Sequence, residues 1–236
     1  MIKKITFAIL CLILSAGAVT VLSVSQQDDK RTQPLIVRND GSLHAYVNQA
    51  RSNGQSRIVK PGPLVEYATY IRSLKTALSS YWAVVASPIE KHSITKENGD
   101  IRTWYKFRIL ESINPQKYNR CSDCPAPAVV PAEMLPLQTD EILLSERGGT
   151  VNVEGIEIVT PPEFGFELSE QYLLFLQEDQ SGFFGRLMVG PDALFKVAPD
   201  NSLTAINEKP HTLKKIVKEQ FKDSLAELKN AAKQQR

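Results

Sequence analysis

The sequence predicts a mainly β domain, an antiparallel barrel or sandwich with one helix before it and one after it. Three observations carry this reading. Short apolar or alternating runs recur between closely spaced turn signals, at Asn98-Gly99, at "DQSG" (179–182) and at "PDN" (199–201). An apolar stripe at three- and four-residue spacing precedes these runs and a second one follows them. Composition is that of an ordinary globular chain, with 236 residues, 42% hydrophobic, 23% charged and a formal net charge of +2.

The chain opens with an address rather than a fold element. Lys3 and Lys4 precede an apolar run over residues 5–24 that ends in small residues before "SQQDDKR". A basic start, an apolar middle and a small-residue end make a secretory signal over residues 1–25, cut after Ser25 or alternatively after Ala18. Left uncut, residues 5–24 are long enough to anchor the chain in a bilayer. The expected location is therefore extracytoplasmic, either secreted or periplasmic, with membrane anchoring as the alternative. Residues 26–62 are polar, with one short apolar patch at Leu35, Ile36 and Val37, and read as a linker or extended arm.

From Pro63 the pattern becomes helical. Leu64, Tyr67, Ala68, Ile71, Leu74 and Leu78 share one face, which predicts a helix over 63–80 with Pro63 in its first turn. "YWAVVAS" (81–87) is a buried-strand run that Pro88 is expected to end. "IRTWYKFRILESI" alternates, with Ile101, Thr103, Tyr105, Phe107 and Ile109 on one face and Arg102, Trp104, Lys106 and Arg108 on the other. Asn98-Gly99 between these runs predicts a hairpin, because both residues tolerate positive φ. Residues 114–138 form a long loop with prolines at 115, 125, 127, 131 and 136. Loops of this length in a small domain are pinned or functional.

Strands return in "TVNVEGIEIV", whose apolar parity breaks at Gly155 and predicts a bulge or bend. "QYLLFLQE" is continuous enough to be buried on both faces. "GFFGRLMVG", "ALFKVA" and "SLTAIN" complete the β region, which spans 81–207. Leu213, Val217, Phe221, Leu225, Leu228 and Ala232 then predict an amphipathic helix within 208–236. Residues 209–236 hold eight basic and three acidic side chains, whereas the chain without Lys3 and Lys4 is balanced at 26 of each. The basic residues lack interleaved aromatics, so no nucleic-acid partner is expected. Membrane contact is expected only through an uncleaved N-terminal segment or this basic helix.

The chemistry is sparse. Cys121 and Cys124 lie in "RCSDCPAP" (120–127), and Pro125, Pro127 and Pro131 deny the first thiol the helix N-terminus that redox-active cysteines use. A zinc site wants about four ligands, and His44, His92 and His211 are not closely spaced to the pair. In an extracytoplasmic protein the default is a disulfide between Cys121 and Cys124. A thiol-disulfide oxidoreductase using the same pair is the alternative reading. No Gly-x-Ser-x-Gly elbow occurs. Glu141, Glu146, Glu154 and Glu157 are close in sequence without a spacing that pairs them, and Gly148-Gly149 opens a strand rather than a phosphate-cradling helix. No metal, cofactor or catalytic residue is expected. The candidate binding surface is the proline-rich loop with its disulfide together with the face carrying Trp104, Arg102, Lys106 and Arg108, because aromatic and cationic side chains on such a strand stack ligands; packing of Trp104 under the C-terminal helix is the alternative.

Residues 81–207, about half the chain, carry a recognisable order. "WAVVASPIEK", a hairpin, "TWYKFRILESI", a loop, Gly148-Gly149 and "FELSEQYLLFL" resemble the barrel shared by netrin modules and tissue inhibitors of metalloproteinases, and secreted bacterial proteins with the same strand order. Leu168, Tyr172, Leu173, Leu174 and Phe175 match the family's last element, and Glu170 stands where the family often has glycine. The resemblance implies a five-stranded barrel of the OB type. It does not bring the inhibitors' chemistry with it, because they bind protease zinc through an N-terminal cysteine and no cysteine follows Ser25 before Cys121. The expected function is a non-enzymatic binding or assembly module for another protein of the envelope or extracellular space, with peptidase inhibition as a further alternative.

Overall fold

The computed structural model describes residues 42–62, 73–96, 98–114, 130–178, 185–187, 194–206 and 212–234. The signal segment, residues 26–41, the first half of the expected helix 63–80, Cys121, Cys124 and His211 lie outside them.

Where the sequence reads an arm, the chain instead forms helix α1 (Leu43–Ser52) and strand β1 (Arg57–Val59). Ser42 caps α1 by accepting the Ala45 N–H at 3.2 Å, and Tyr46, Val47 and Ala50 form its buried face. Helix α2 (Leu74–Ser80) follows, capped by Ser73 and burying the predicted Leu74 and Leu78. The strands are β2 (Trp82–Thr95), β3 (Ile101–Ser112), β4 (Glu141–Arg147), β5 (Gly149–Val153), β6 (Ile156–Thr160), β7 (Gln171–Glu178), β8 (Gly185–Leu187), β9 (Leu194–Val197) and β10 (Leu203–Ala205). Helices α3 (Thr212–Phe221) and α4 (Leu225–Gln234) close the chain. The fold is mainly β with flanking helices, as the sequence predicts.

The strands divide into two sheets. The smaller is ordered β1-β6-β5, and the larger has seven strands ordered β10-β9-β7-β2-β3-β4 with β8 beside β7. The larger sheet curls until β4 and β8 approach within 8 Å in Cα positions, but among the described residues no ladder joins them and the barrel is not closed. Part of the β4 edge is already taken, since the Glu163 N–H donates to the Arg147 carbonyl.

Several local expectations change for physical reasons. Strand β2 runs through Pro88, because β7 pairs with β2 only from Trp82 to Ala86 and a missing N–H beyond that point breaks no ladder. Register shifts beside Val85/Ala86 and Pro88/Glu90 leave Leu110 and Ile89 as the extra residues, both exposed. The β2–β3 hairpin is present, but of the Asn-Gly pair only Gly99 takes positive φ, while the Asn98 side chain accepts the Asp100 N–H. The parity break at Gly155 is a full reversal. Glu154 (φ 51°) and Gly155 (φ 83°) make a two-residue turn between β5 and β6, the mirror-image turn that matches strand twist. The expected single C-terminal helix is two, broken where Lys222 and Asp223 take positive φ and the Asp223 carbonyl accepts the Leu203 N–H. All six residues of the predicted stripe are nevertheless buried.

The curled sheet has an inner face of Trp82, Val84, Tyr105, Phe107, Ile142, Leu144, Tyr172 and Leu174. Its outer face is covered in two pieces. Helices α2, α3 and α4 pack over Ala83, Val85, Leu173 and Phe175, so β7 is buried on both sides, as predicted. Residues 130–137 cover Trp104 and Leu143.

Candidate functional site

The outer face of β3 does not offer the aromatic platform expected of it. Trp104 is 5% exposed and packs with Met134 and Leu143 beneath residues 130–137. Strand parity places it beside Arg102, Lys106 and Arg108, as read from the sequence, but the chain returning from the proline-rich loop covers that face. Arg102 donates from Nη1 to Ser145 Oγ at 2.9 Å, and Lys106 Nζ lies 2.9 Å from Glu90 with its side chain 12% exposed. Arg108 remains exposed, 3.8 Å from Asp140. Arg102 and Lys106 are thus tied to cross-strand neighbours. His92, on β2, meets Glu133 of the returning limb at 2.8 Å, and His44 lies 3.4 Å from Glu154.

The same limb defines how the proline-rich loop is mounted. At its start Asn114, 3% exposed, accepts the Ala83 N–H at 2.7 Å and donates to the Leu78 and Tyr81 carbonyls at 2.7 and 2.8 Å. At its return, Pro131 leads into a 3-10 turn (Ala132–Met134) whose Met134 is fully buried, followed by a cis Leu135–Pro136 peptide. Both ends of the expected loop 114–138 belong to the core, and residues 115–129 between them lie outside the described residues. The disulfide expected at Cys121 and Cys124 falls within that stretch, outside the described residues.

A second constellation escapes sequence reasoning. Glu146 is 2% exposed on the inner face, and its carboxylate accepts the Tyr105 hydroxyl at 2.6 Å and the backbone N–H groups of Phe164 and Gly165 at 2.6 and 3.1 Å. Burial pushes its carboxyl above the ordinary glutamate value, opposed by these hydrogen bonds and by the charge of Lys91. Burial likewise raises Glu163, and burial with the adjacent Glu146 charge raises the Tyr105 phenol. Phe166 sits above, edge-on to Tyr105, Phe107 and Tyr172 at centroid distances of 5.2, 5.0 and 5.1 Å. The signal was present in the alternation Ile142, Leu144, Glu146, which puts a carboxylate at the third inward position of β4. Glu141, Glu154 and Glu157 go elsewhere, to the Gln138 N–H, Arg51 and Arg57, so the four acids do not converge.

The crossing from β4 to β5 is sterically fixed. At Gly149 (φ +133°) a Cβ would strike the Thr103 and Ser93 hydroxyls, which hydrogen-bond each other at 2.8 Å while Thr103 donates to the Gly148 carbonyl. Gly149 opens a strand, as predicted.

Among the described residues no group of three or more His, Cys, Asp or Glu side chains is placed to hold a metal ion. No helix among them is long and apolar enough to cross a membrane. No protein-family model matches the chain, and no curated protein matches it either.

Proposed function

We propose that the chain is a non-enzymatic binding or assembly module acting outside the cytoplasm, with residues 115–129 as its recognition element. The observation that carries this reading is the pair of clamps on that loop: buried Asn114 with its three hydrogen bonds at one end, and the limb through Met134 at the other. A loop whose ends are fixed by core residues is presented at a defined position, as recognition loops are on rigid scaffolds. Its prolines lower the entropy lost on binding, and a bridge between Cys121 and Cys124 would lower it further. The signal at residues 1–25 supports the location, and the meander β2-β3-β4 with β7 returning beside β2 supports kinship with the netrin and metalloproteinase-inhibitor barrel.

The test replaces residues 116–128 with a Gly/Ser segment of equal length and compares the envelope proteins co-isolated with each chain. Loss of a partner recovered with the unaltered chain supports the reading, and an unchanged set overturns it. A redox titration separates the oxidoreductase alternative. A potential below about −300 mV is expected of a structural bridge, and a more oxidising one would favour catalysis.

A further inference from the structure

Residues 161–170 cross the inner face of the large sheet without regular secondary structure of their own. They are held at a few points, and most of these holds resemble a site gripping a peptide more than a sheet ladder. Two consecutive N–H groups, of Phe164 and Gly165, donate to the Glu146 carboxylate. The Glu167 N–H donates to the Tyr172 hydroxyl at 2.9 Å, and the Ser169 N–H to the Pro88 carbonyl at 2.9 Å. One ring, Phe166, is 3% exposed and fills a slot walled by Tyr105, Phe107 and Tyr172.

A carboxylate among these aromatics is costly for stability, since an apolar residue of similar volume at a buried charged position is often neutral or stabilising. It is well suited to something else: accepting adjacent peptide N–H groups beside an aromatic slot. Positive φ at Gly165 (69°) and Ser169 (68°) brackets Phe166, and residues 161–170 contain no strand that would have to unwind for the stretch to leave.

We propose that residues 161–170 are a strap occupying, in cis, a binding site for an extended peptide segment bearing an aromatic side chain. In that site Glu146 takes the peptide N–H groups and the slot between Tyr105, Phe107 and Tyr172 takes the ring. The site lies on the inner face and stands independently of the 115–129 loop. Opening of the strap uncovers it for a partner chain.

The experiment uses the full chain and, as probe, a blocked synthetic peptide of the strap sequence "PPEFGFELSE". A chain with Phe166→Ala, its slot vacated, is expected to bind the peptide at least tenfold more tightly than the unaltered chain. The same peptide carrying Phe166→Ala should lose that gain, and adding Glu146→Gln to the chain should weaken binding at least tenfold. Equal binding by both chains, or no discrimination between the two peptides, overturns the proposal. Should Phe166→Ala prevent folding, amide exchange on the unaltered chain decides. The amides of Phe164, Gly165, Glu167 and Ser169 should exchange together and at least tenfold faster than those of β3 and β7. Exchange of these four only with global unfolding overturns the proposal.

Discussion

Two irregular segments lie against opposite faces of β3 and β4, and they are held by different physics. Residues 130–137 cover the outer face through apolar burial, with Met134 and Leu143 packed on Trp104. Residues 161–170 cover the inner face with one plugging ring, but they are registered by the Glu146 carboxylate. Adjacent residues of β3 serve the two sides, Trp104 outward and Tyr105 inward. The contrast teaches that the outer cover responds to volume and the inner one to charge and proton concentration as well.

The largest expected effect is on the apolar side. Trp104→Ala removes the ring on which the returning limb rests and should cost about 3–5 kcal/mol in urea unfolding. A loss below about 1 kcal/mol would mean that the limb is held by something else. Next is Glu146→Ala, which strands the Tyr105 hydroxyl and two backbone N–H groups and should cost about 3 kcal/mol. Glu146→Gln, keeping one acceptor oxygen, should cost less than half as much at mildly acidic pH.

The pH response separates the covers further. Because burial holds the Glu146 and Glu163 carboxyls above the ordinary glutamate value, the folded chain retains protons that the unfolded chain releases. Their contribution is full below the unfolded value and declines as pH rises through the raised folded values. The groups bearing on Glu146 are Tyr105, the Phe164 and Gly165 N–H groups and the Lys91 charge. Unfolding curves across that window should show the unaltered chain losing stability relative to Glu146→Gln as pH rises, while the Trp104→Ala penalty stays flat. A gap to Glu146→Gln that does not change with pH would contradict this assignment. The smallest effect belongs to the surface of β3, where a double-mutant cycle on Lys106 and Glu90 should give a coupling of about 1 kcal/mol or less.

What the sequence made legible follows from what is local. The two-sided burial of β7, the β9–β10 turn at Asn201 (φ 64°) and the C-terminal stripe all depend on neighbours in the chain. The apolar residues Leu43, Tyr46, Val47 and Ala50 were equally periodic, but the stripe is one short helix in a polar context, and it is buried only because Ile58, Ile156 and Ile158 complete its cluster. Parity placed Trp104 correctly on its strand face. It could not tell that a segment some 30 residues later would cover it, since that is a tertiary event with no period of its own. The partners of Glu146 were hidden for the same reason, as Phe164 and Gly165 are 18 and 19 positions away. The covering segments had no local signal of this kind, and strands β1 and β4 also went unread in the sequence.

On the proposed function, residues 115–129 serve recognition and not the fold. The most direct measurement is urea unfolding of the chain in which 116–128 is Gly/Ser, beside one in which 130–137 is replaced in the same way. The first is expected to lose no more than about 2 kcal/mol, the most that a bridge between Cys121 and Cys124 would contribute, while the second loses at least twice that or fails to fold. Equal, severe destabilisation of both would contradict it, and would make the cysteine loop a structural part of the domain.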